Sequence, residues 1–327
     1  MEDINAQVLS GFNINPKSIT KSKLLYILKT STGTKQLRLN PSPAKRICFA
    51  HNVKENLLTN GFGFTDRFIP SVQNRPYYQL GNNTYTMTPF IEGHESDFSD
   101  AECIKKSICR IAQMHKDSAI IKNFNETPPI SENLINYCEK KIKRFKALKK
   151  QTQNKSSYTD FDIIFIKNFD FFLNEAEKSV NLLKESSYDK LYKKAIENNS
   201  IAHHGLMEET ILHSKTGVYI MGFEGCTVDI PLMDLADIIK RYIRKHNENY
   251  AGANELISEY CKINPLSKEE IDVLYAYLVF PDKFINTIIE FYSKKRSFTP
   301  NSTVNRLTKT IGQKIHYKNY IEDIKKL

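Results

Sequence analysis

Ile201-Ala202-His203-His204-Gly205-Leu206-Met207-Glu208-Glu209-Thr210-Ile211-Leu212, with the return Val218-Tyr219-Ile220-Met221-Gly222-Phe223-Glu224, is the stretch from which the rest of the chain is best read. Ser214-Lys215-Thr216-Gly217 between the two halves has turn composition, and Val218 to Met221 is β-prone. The segment therefore has the form of a loop, a short hairpin and a second loop.

That frame is similar to the active-site frame of aminoglycoside and choline kinases, in which the first loop reads H-x-D-x-x-x-x-N and the return ends in D-F-D or D-F-E. His203 falls on the histidine, while Gly205, Thr210 and Gly222 occupy the positions of Asp, Asn and Asp. Phosphoryl transfer is catalysed by positioning and charge stabilisation, so metal ligands and the group that orients the nucleophile are hard to replace. Gly205 has no side chain to accept a hydroxyl proton. Gly222 offers no hard anionic oxygen to magnesium, and Thr210 supplies one neutral oxygen where an amide carbonyl would sit. Each ~1.4 kcal/mol of lost barrier reduction is about tenfold in rate. Three such losses together predict a pseudokinase with no intact catalytic residue.

Glu208 and Glu209 lie within the first loop and are expected as solvated charge, with residual roles only if carboxylates have shifted to new positions. Glu224 matches an acidic position of the kinase pattern and is at most one remaining metal ligand. His203 reads as a loop-bracing histidine. With His204 and His213 it invites a zinc site, but no second Cys/His cluster stands nearby in sequence, so no metal is expected.

With 327 residues the chain is long enough for two lobes and a sizeable core, and its 40% hydrophobic and 26% charged residues are ordinary for a globular protein. No apolar run reaches the ~20 residues of a membrane span. The start Met-Glu-Asp-Ile-Asn lacks the basic and apolar regions of a secretory signal, so cytoplasmic synthesis is expected. Six scattered cysteines form no C-x-x-C pair. Cys103, Cys109 and Cys138 read as small apolar residues of helix faces.

Residues 1–90 read as a small strand-rich lobe. Leu24 to Leu28 and Lys35 to Leu39 flank Ser31-Thr32-Gly33, and Tyr77 to Leu80 and Thr84 to Phe90 flank Gly81-Asn82-Asn83; both are hairpin signals. Pro41 to Asn60 reads as a helix stopped by Gly61. Strands, one helix and a hairpin running into Ile91-Glu92-Gly93 follow the order of a kinase N-lobe and hinge. In that alignment Arg38 stands for the strand lysine that steadies nucleotide phosphates, and Glu55 for its helix partner: a vestigial nucleotide site. Arginine keeps the charge without the point geometry of lysine. The segment from Asn13 to Lys23 contains no glycine, so no phosphate-gripping loop is evident.

Residues 91–327 read as a helical lobe. Ser99-Asp100 caps a helix ending near His115, Asn123 to Pro129 is a break, and Ser131-Glu132 opens a helix with one face carrying Lys140, Lys143, Arg144, Lys146 and Lys150. A helix with Phe161, Phe165, Phe169 and Phe172 at core spacing follows. Asp229 to His246 forms another, and Ser267 with Glu270 is a capping box.

The chain resembles the CotS family of spore coat proteins over nearly its whole length. The likeness rests on His51 to Phe62, Tyr85 to Gly93, Ala112-Gln113-Met114-His115 and the loops at 201–224. It also rests on Val228-Asp229-Ile230-Pro231 with Asp234-Leu235-Ala236, on Ile263 to Ser267 and on Phe280-Pro281. The resemblance implies an α+β, bilobal, protein kinase-like (aminoglycoside phosphotransferase-like) fold, and gives Asp229 and Asp234 a role in holding the catalytic region together. It implies a coat component made in the mother cell, with other spore coat proteins as partners and no cofactor. ATP and magnesium enter only under an alternative reading, an active atypical phosphotransferase acting on a small molecule or coat protein. A formal net charge of +10 favours acidic partners. Nucleic acid is the weaker alternative, since the aromatics lie at core spacing and no nucleic-acid module is recognisable.

Overall fold

The computed structural model describes residues 4–22, 25–118, 127–246, 250–294 and 301–312. It has a small antiparallel, strand-rich N-lobe followed by a large helical C-lobe, as the resemblance implies. After a short helix α1 (Ala6–Gly11) come strands β1 (Ser18–Ser22), β2 (Leu25–Thr30) and β3 (Gly33–Leu39), helix α2 (Ala44–Thr59), and strands β4 (Tyr78–Leu80) and β5 (Asn83–Pro89). The sheet order is β1-β2-β3-β5-β4, every neighbour antiparallel, with Leu37 opposite Tyr26 on one side and Met87 on the other. Leu28, Leu37 and Met87 bury one face of this sheet against Val8 and Phe12 of the α1 region. Both expected hairpins form; Leu24 lies outside the described residues. β1 carries no apolar alternation strong enough to announce it, and its pairing with β2 supplies its backbone partners instead.

Helix α2 buries Ile47, Ala50, Val53, Lys54 and Leu57, a stripe at three- and four-residue spacing. It ends as the sequence predicts. Gly61 adopts φ +95°, its N–H reaches the Leu58 carbonyl at 3.0 Å, and Phe62 N–H reaches the Leu57 carbonyl at 2.8 Å. These two bonds close the last turn on a left-handed glycine.

The chain divides into two compact units. The first comprises Met1–Ile130, Ala195–Leu235 and Glu259–Asn264; the second Ser131–Lys194, Ala236–Ser258 and Pro265–Leu327. Beyond the N-terminal sheet the first unit holds β6 (His94–Glu95), α3 (Ala101–Ser118) and two small ladders. One ladder is β6-β8-β9, with β8 Ile211–Ser214 and β9 Gly217–Ile220; the other pairs β7 (Ile201–Ala202) with β10 (Thr227–Val228). Asp100 caps α3 by accepting the Cys103 N–H at 2.9 Å, and the helix continues past His115 to Ser118. Residues 123–126 of the expected break lie outside the described residues.

In the second unit, α4 (Leu134–Gln153) starts three residues later than Ser131, because Asn133 supplies the cap, accepting from Ile135 and Asn136 N–H. The aromatic helix is α5 (Asp160–Glu185), opened by a Thr159–Asp162 capping box. Its phenylalanines are core residues: Phe145 of α4 stacks on Phe169 at 4.7 Å between ring centroids. The remaining α-helices among the described residues are α6 (Tyr188–Glu197), α7 (Leu232–Lys245), α8 (Tyr250–Ile263), α9 (Lys268–Val279), α10 (Asp282–Ser293) and α11 (Asn301–Gly312). Ser267 and Glu270 form the predicted box at the start of α9, and Phe172 stacks on Phe284 of α10 at 3.7 Å.

Candidate functional site

The two loops of the site are held at both ends. Ile201–Ala202 pairs with Thr227–Val228 before the first loop and after the second, and Ile211 pairs with Ile220 between them. Met221 N–H reaches the Thr210 carbonyl at 2.8 Å, tying the loops directly. The sequence-predicted residues His203, Gly205, Thr210, Gly222 and Glu224 all belong to this clamped frame.

His203 is buried and fully bonded. Its Nδ1 accepts the Gly205 N–H at 3.1 Å, which leaves the proton on Nε2 to donate to the Met221 carbonyl at 3.0 Å. Burial pushes its pKa down to about 4, against the opposing pull of Asp234, so the ring is neutral. Asp234, at the start of α7, accepts the backbone N–H groups of His203 at 2.6 Å and His204 at 2.8 Å, and His115 Nε2 lies 3.1 Å away. Burial alone raises its pKa, but the hydrogen bond and charge of His115, with His204 and His203, outweigh that and bring it down to about 2. The Tyr260 hydroxyl lies 2.8 Å from His115 Nδ1 and orients that ring. Asp229 braces the other side, accepting Ile230 N–H at 2.7 Å and lying 3.1 Å from His204 Nε2.

The Thr210 side chain is turned back onto its own loop. The Thr210 hydroxyl accepts Met207 N–H and donates to the Gly205 carbonyl, each at 2.8 Å. Gly222 sits in the left-handed region at φ +77°, and a Cβ built there would lie 3.2 Å from Thr210 Cγ2, a tight approach. A Cβ on Gly205 meets only ordinary contact, 3.4 Å from the His203 ring. Glu208 caps the segment before α3, accepting Phe98 N–H at 2.8 Å. Its expected role as solvated charge is corrected by that bond. Glu209 is exposed.

Arg38 Nη2 and Asn40 Nδ2 each donate to Glu224 Oε1 at 2.7 Å, and Arg46 grips the Glu224 and Gly225 carbonyls at 3.0 and 2.9 Å. Burial raises the Glu224 carboxyl pKa, but Arg38, Lys54 and Asn40 more than reverse this, so it stays ionised. The expected Arg38–Glu55 pair does not form. Glu55 is taken by Arg67 in a two-point bond of 2.9 and 2.6 Å, because it points off the buried stripe of α2. The buried helix residue is Lys54, 2.7 Å from Asp66 Oδ1 and 3.9 Å from the Phe68 ring centroid. Burial raises the Asp66 pKa, and Lys54 opposes it. Lys54, Asn40, Arg46 and Asp66 were not singled out from the sequence. Lys54 carried a signal, since it falls in phase with Ile47, Ala50 and Leu57.

The three histidines of the zinc hypothesis go to separate partners: His203 to Met221 and Gly205, His204 to Asp229, and His213 to Ser107 at 2.9 Å with its ring stacked on His94. Among the described residues no group of three or more His, Cys, Asp or Glu is placed to hold a metal ion. Buried Cys138 and Cys226 have thiol pKa values pushed up to about 12 by burial, which leaves them unreactive.

Residues 12–324 match the family described as "Spore coat putative kinase YutH". Spore coat protein S of Bacillus subtilis (strain 168) is 21% identical over 316 residues, covering 90% of this chain and 86% of the relative. Among solved structures, an aminoglycoside phosphotransferase from Alicyclobacillus acidocaldarius is similar with a TM-score of 0.87 at 14% identity, covering 100% of this chain and 96% of that one. Spectinomycin phosphotransferase APH(9)-Ia, in complex with ADP and spectinomycin, has a TM-score of 0.68 at 11% identity, covering 98% and 97%. A choline kinase from Cryptosporidium parvum has a TM-score of 0.54 at 12% identity, covering 94% and 89%. At these identities the structural likeness establishes the fold.

Proposed function

The chain belongs to the spore coat putative kinase YutH family, and from that premise we propose that it is a coat component whose kinase-like fold serves as a scaffold rather than a catalyst. It is made in the mother cell, and it acts by association with other coat proteins. The observation that carries the reading is the state of the three positions that would bind metal and nucleophile. Gly205 and Gly222 offer no side-chain oxygen, and the Thr210 hydroxyl is consumed within its own loop. The nearby carboxylates are engaged elsewhere: Glu208 with Phe98, and Glu224 with Arg38 and Asn40. A divalent ion between nucleotide phosphates requires hard oxygen ligands, and positioning without them supplies little of the phosphoryl-transfer acceleration.

Melting temperature with ATP, in the presence and absence of magnesium, combined with an assay for ADP, tests this. The scaffold reading expects no magnesium-dependent rise and no ADP. A metal-independent rise without ADP adds nucleotide as a structural ligand and leaves the scaffold reading in place. Magnesium-dependent stabilisation with ADP formation, lost in Glu224→Ala, overturns it. That arm addresses the active alternative, because Glu224 is the ionised carboxylate retained from the kinase pattern.

A further inference from the structure

Two helices of the second unit turn polar stripes, not apolar ones, toward a common cavity. From α7 come Asp237, Lys240, Arg241 and Arg244, spaced i, i+3, i+4 and i+7 on one face. From α10 come Asp282, Lys283 and Glu290, and Arg306 of α11 joins them. The cavity holds about 300 Å³, at the lower end of the ~300–1,000 Å³ usual for small-molecule sites.

Its charge is unbalanced, with five cationic side chains against three carboxylates. Each carboxylate is already engaged. Asp282 receives Lys240 Nζ at 2.8 Å and lies 3.8 Å from Arg244 Nη1. Glu290 serves both Lys294 and Arg306, and Asp237 accepts the Tyr277 hydroxyl at 3.1 Å. Lys240 is fixed further by the Tyr277 ring, whose centroid lies 3.6 Å from its Nζ. The Arg241 guanidinium and the Lys283 ammonium have no hydrogen-bond or ion-pair partner among the described residues. Partial desolvation, then Arg244 and Arg306, lower the Lys283 pKa, and the opposing pull of Asp282 and Glu290 does not cancel them.

We infer that this cleft binds a compact multivalent anion of phosphate type, received by Arg241, Arg244, Lys283 and Arg306. Guanidinium groups match phosphate oxygens two at a time, and three arginines with one lysine around a small volume favour a dense anionic charge over a single carboxylate. The inference does not depend on whether the kinase-like loops are active.

Pyrophosphate is the probe, titrated at constant ionic strength made up with chloride, with melting temperature and calorimetry as readouts. A saturable rise is expected, with apparent affinity falling at least tenfold in the Lys283→Gln/Arg306→Gln double variant. Both residues are exposed, so the variant keeps its fold. Arg38→Gln, at the other candidate phosphate position, is expected to leave the response unchanged. A phosphoserine peptide added in competition identifies the source: displacement assigns phosphate carried on a protein, and persistence of pyrophosphate assigns a free anion. Absence of a saturable response overturns the inference. So does a response kept by the double variant, or one lost in Arg38→Gln.

Discussion

His203 is neutral because it is buried and both of its ring nitrogens are already used, and that has a pH consequence with a definite sign. Its folded pKa of about 4 lies below the ordinary 6.5, so the unfolded chain binds the proton first as pH falls. Stability contributed by His203 is complete above pH 6.5 and is lost progressively between there and about pH 4, by about 3 kcal/mol. His51 and His213 are also lowered by burial and act in the same direction. Asp234 works in a lower window. Its stabilisation is present above 3.8 and is lost as pH falls toward about 2. Urea unfolding measured from pH 7 to 4 should give a stability slope that is visibly shallower in His203→Asn. A slope identical to wild type would contradict the assignment. Lys54 makes the second prediction at this scale. Removing one member of a buried ion pair strands the other, so Lys54→Met should cost about 3–5 kcal/mol, and Lys54→Met with Asp66→Asn much less. Equal losses in the single and double variants would count against the pairing.

Thr210 and Gly222 belong to different loops but act as one element. The threonine methyl occupies the approach to the glycine, and the glycine takes a backbone conformation that side chains resist. Gly222→Asp alone should therefore destabilise by about 1–2 kcal/mol. Combined with Thr210→Asn, which removes the branched methyl, the loss should be smaller than the sum of the singles by about 0.5 kcal/mol or more. Additive losses in denaturant unfolding would show that the loops are not coupled through this contact. The same element explains what could be read in advance. The loop–hairpin–loop order, the α2 stop at Gly61 and the α9 capping box each depend on residues close in sequence. The Arg38 partner was misread because the choice between Glu55 and Glu224 depends on which residue of α2 faces inward and on a carboxylate 186 positions away.

For the whole molecule, a formal charge of +10 makes long-range attraction the first influence on any encounter with an acidic polymer. Polyglutamate binding should weaken steeply as salt rises, since the screening length falls from about 30 Å at ~0.01 M to about 8 Å at ~0.15 M. Salt-independent binding would point to apolar docking instead. No described helix is long and apolar enough to cross a membrane.

Sequence alone determined that glycine stands at positions 205 and 222 of the kinase-like frame, with no side-chain oxygen at either. That is a statement about side-chain identity at fixed spacing, and glycine cannot acquire an oxygen by folding. Tertiary structure decided where the remaining charges went: Glu224 to Arg38 and Asn40, Glu55 to Arg67, Glu208 to Phe98, and Lys54 into the core with Asp66. A charged side chain removed from water needs a partner, and which partner it finds depends on distances that only the packed chain sets.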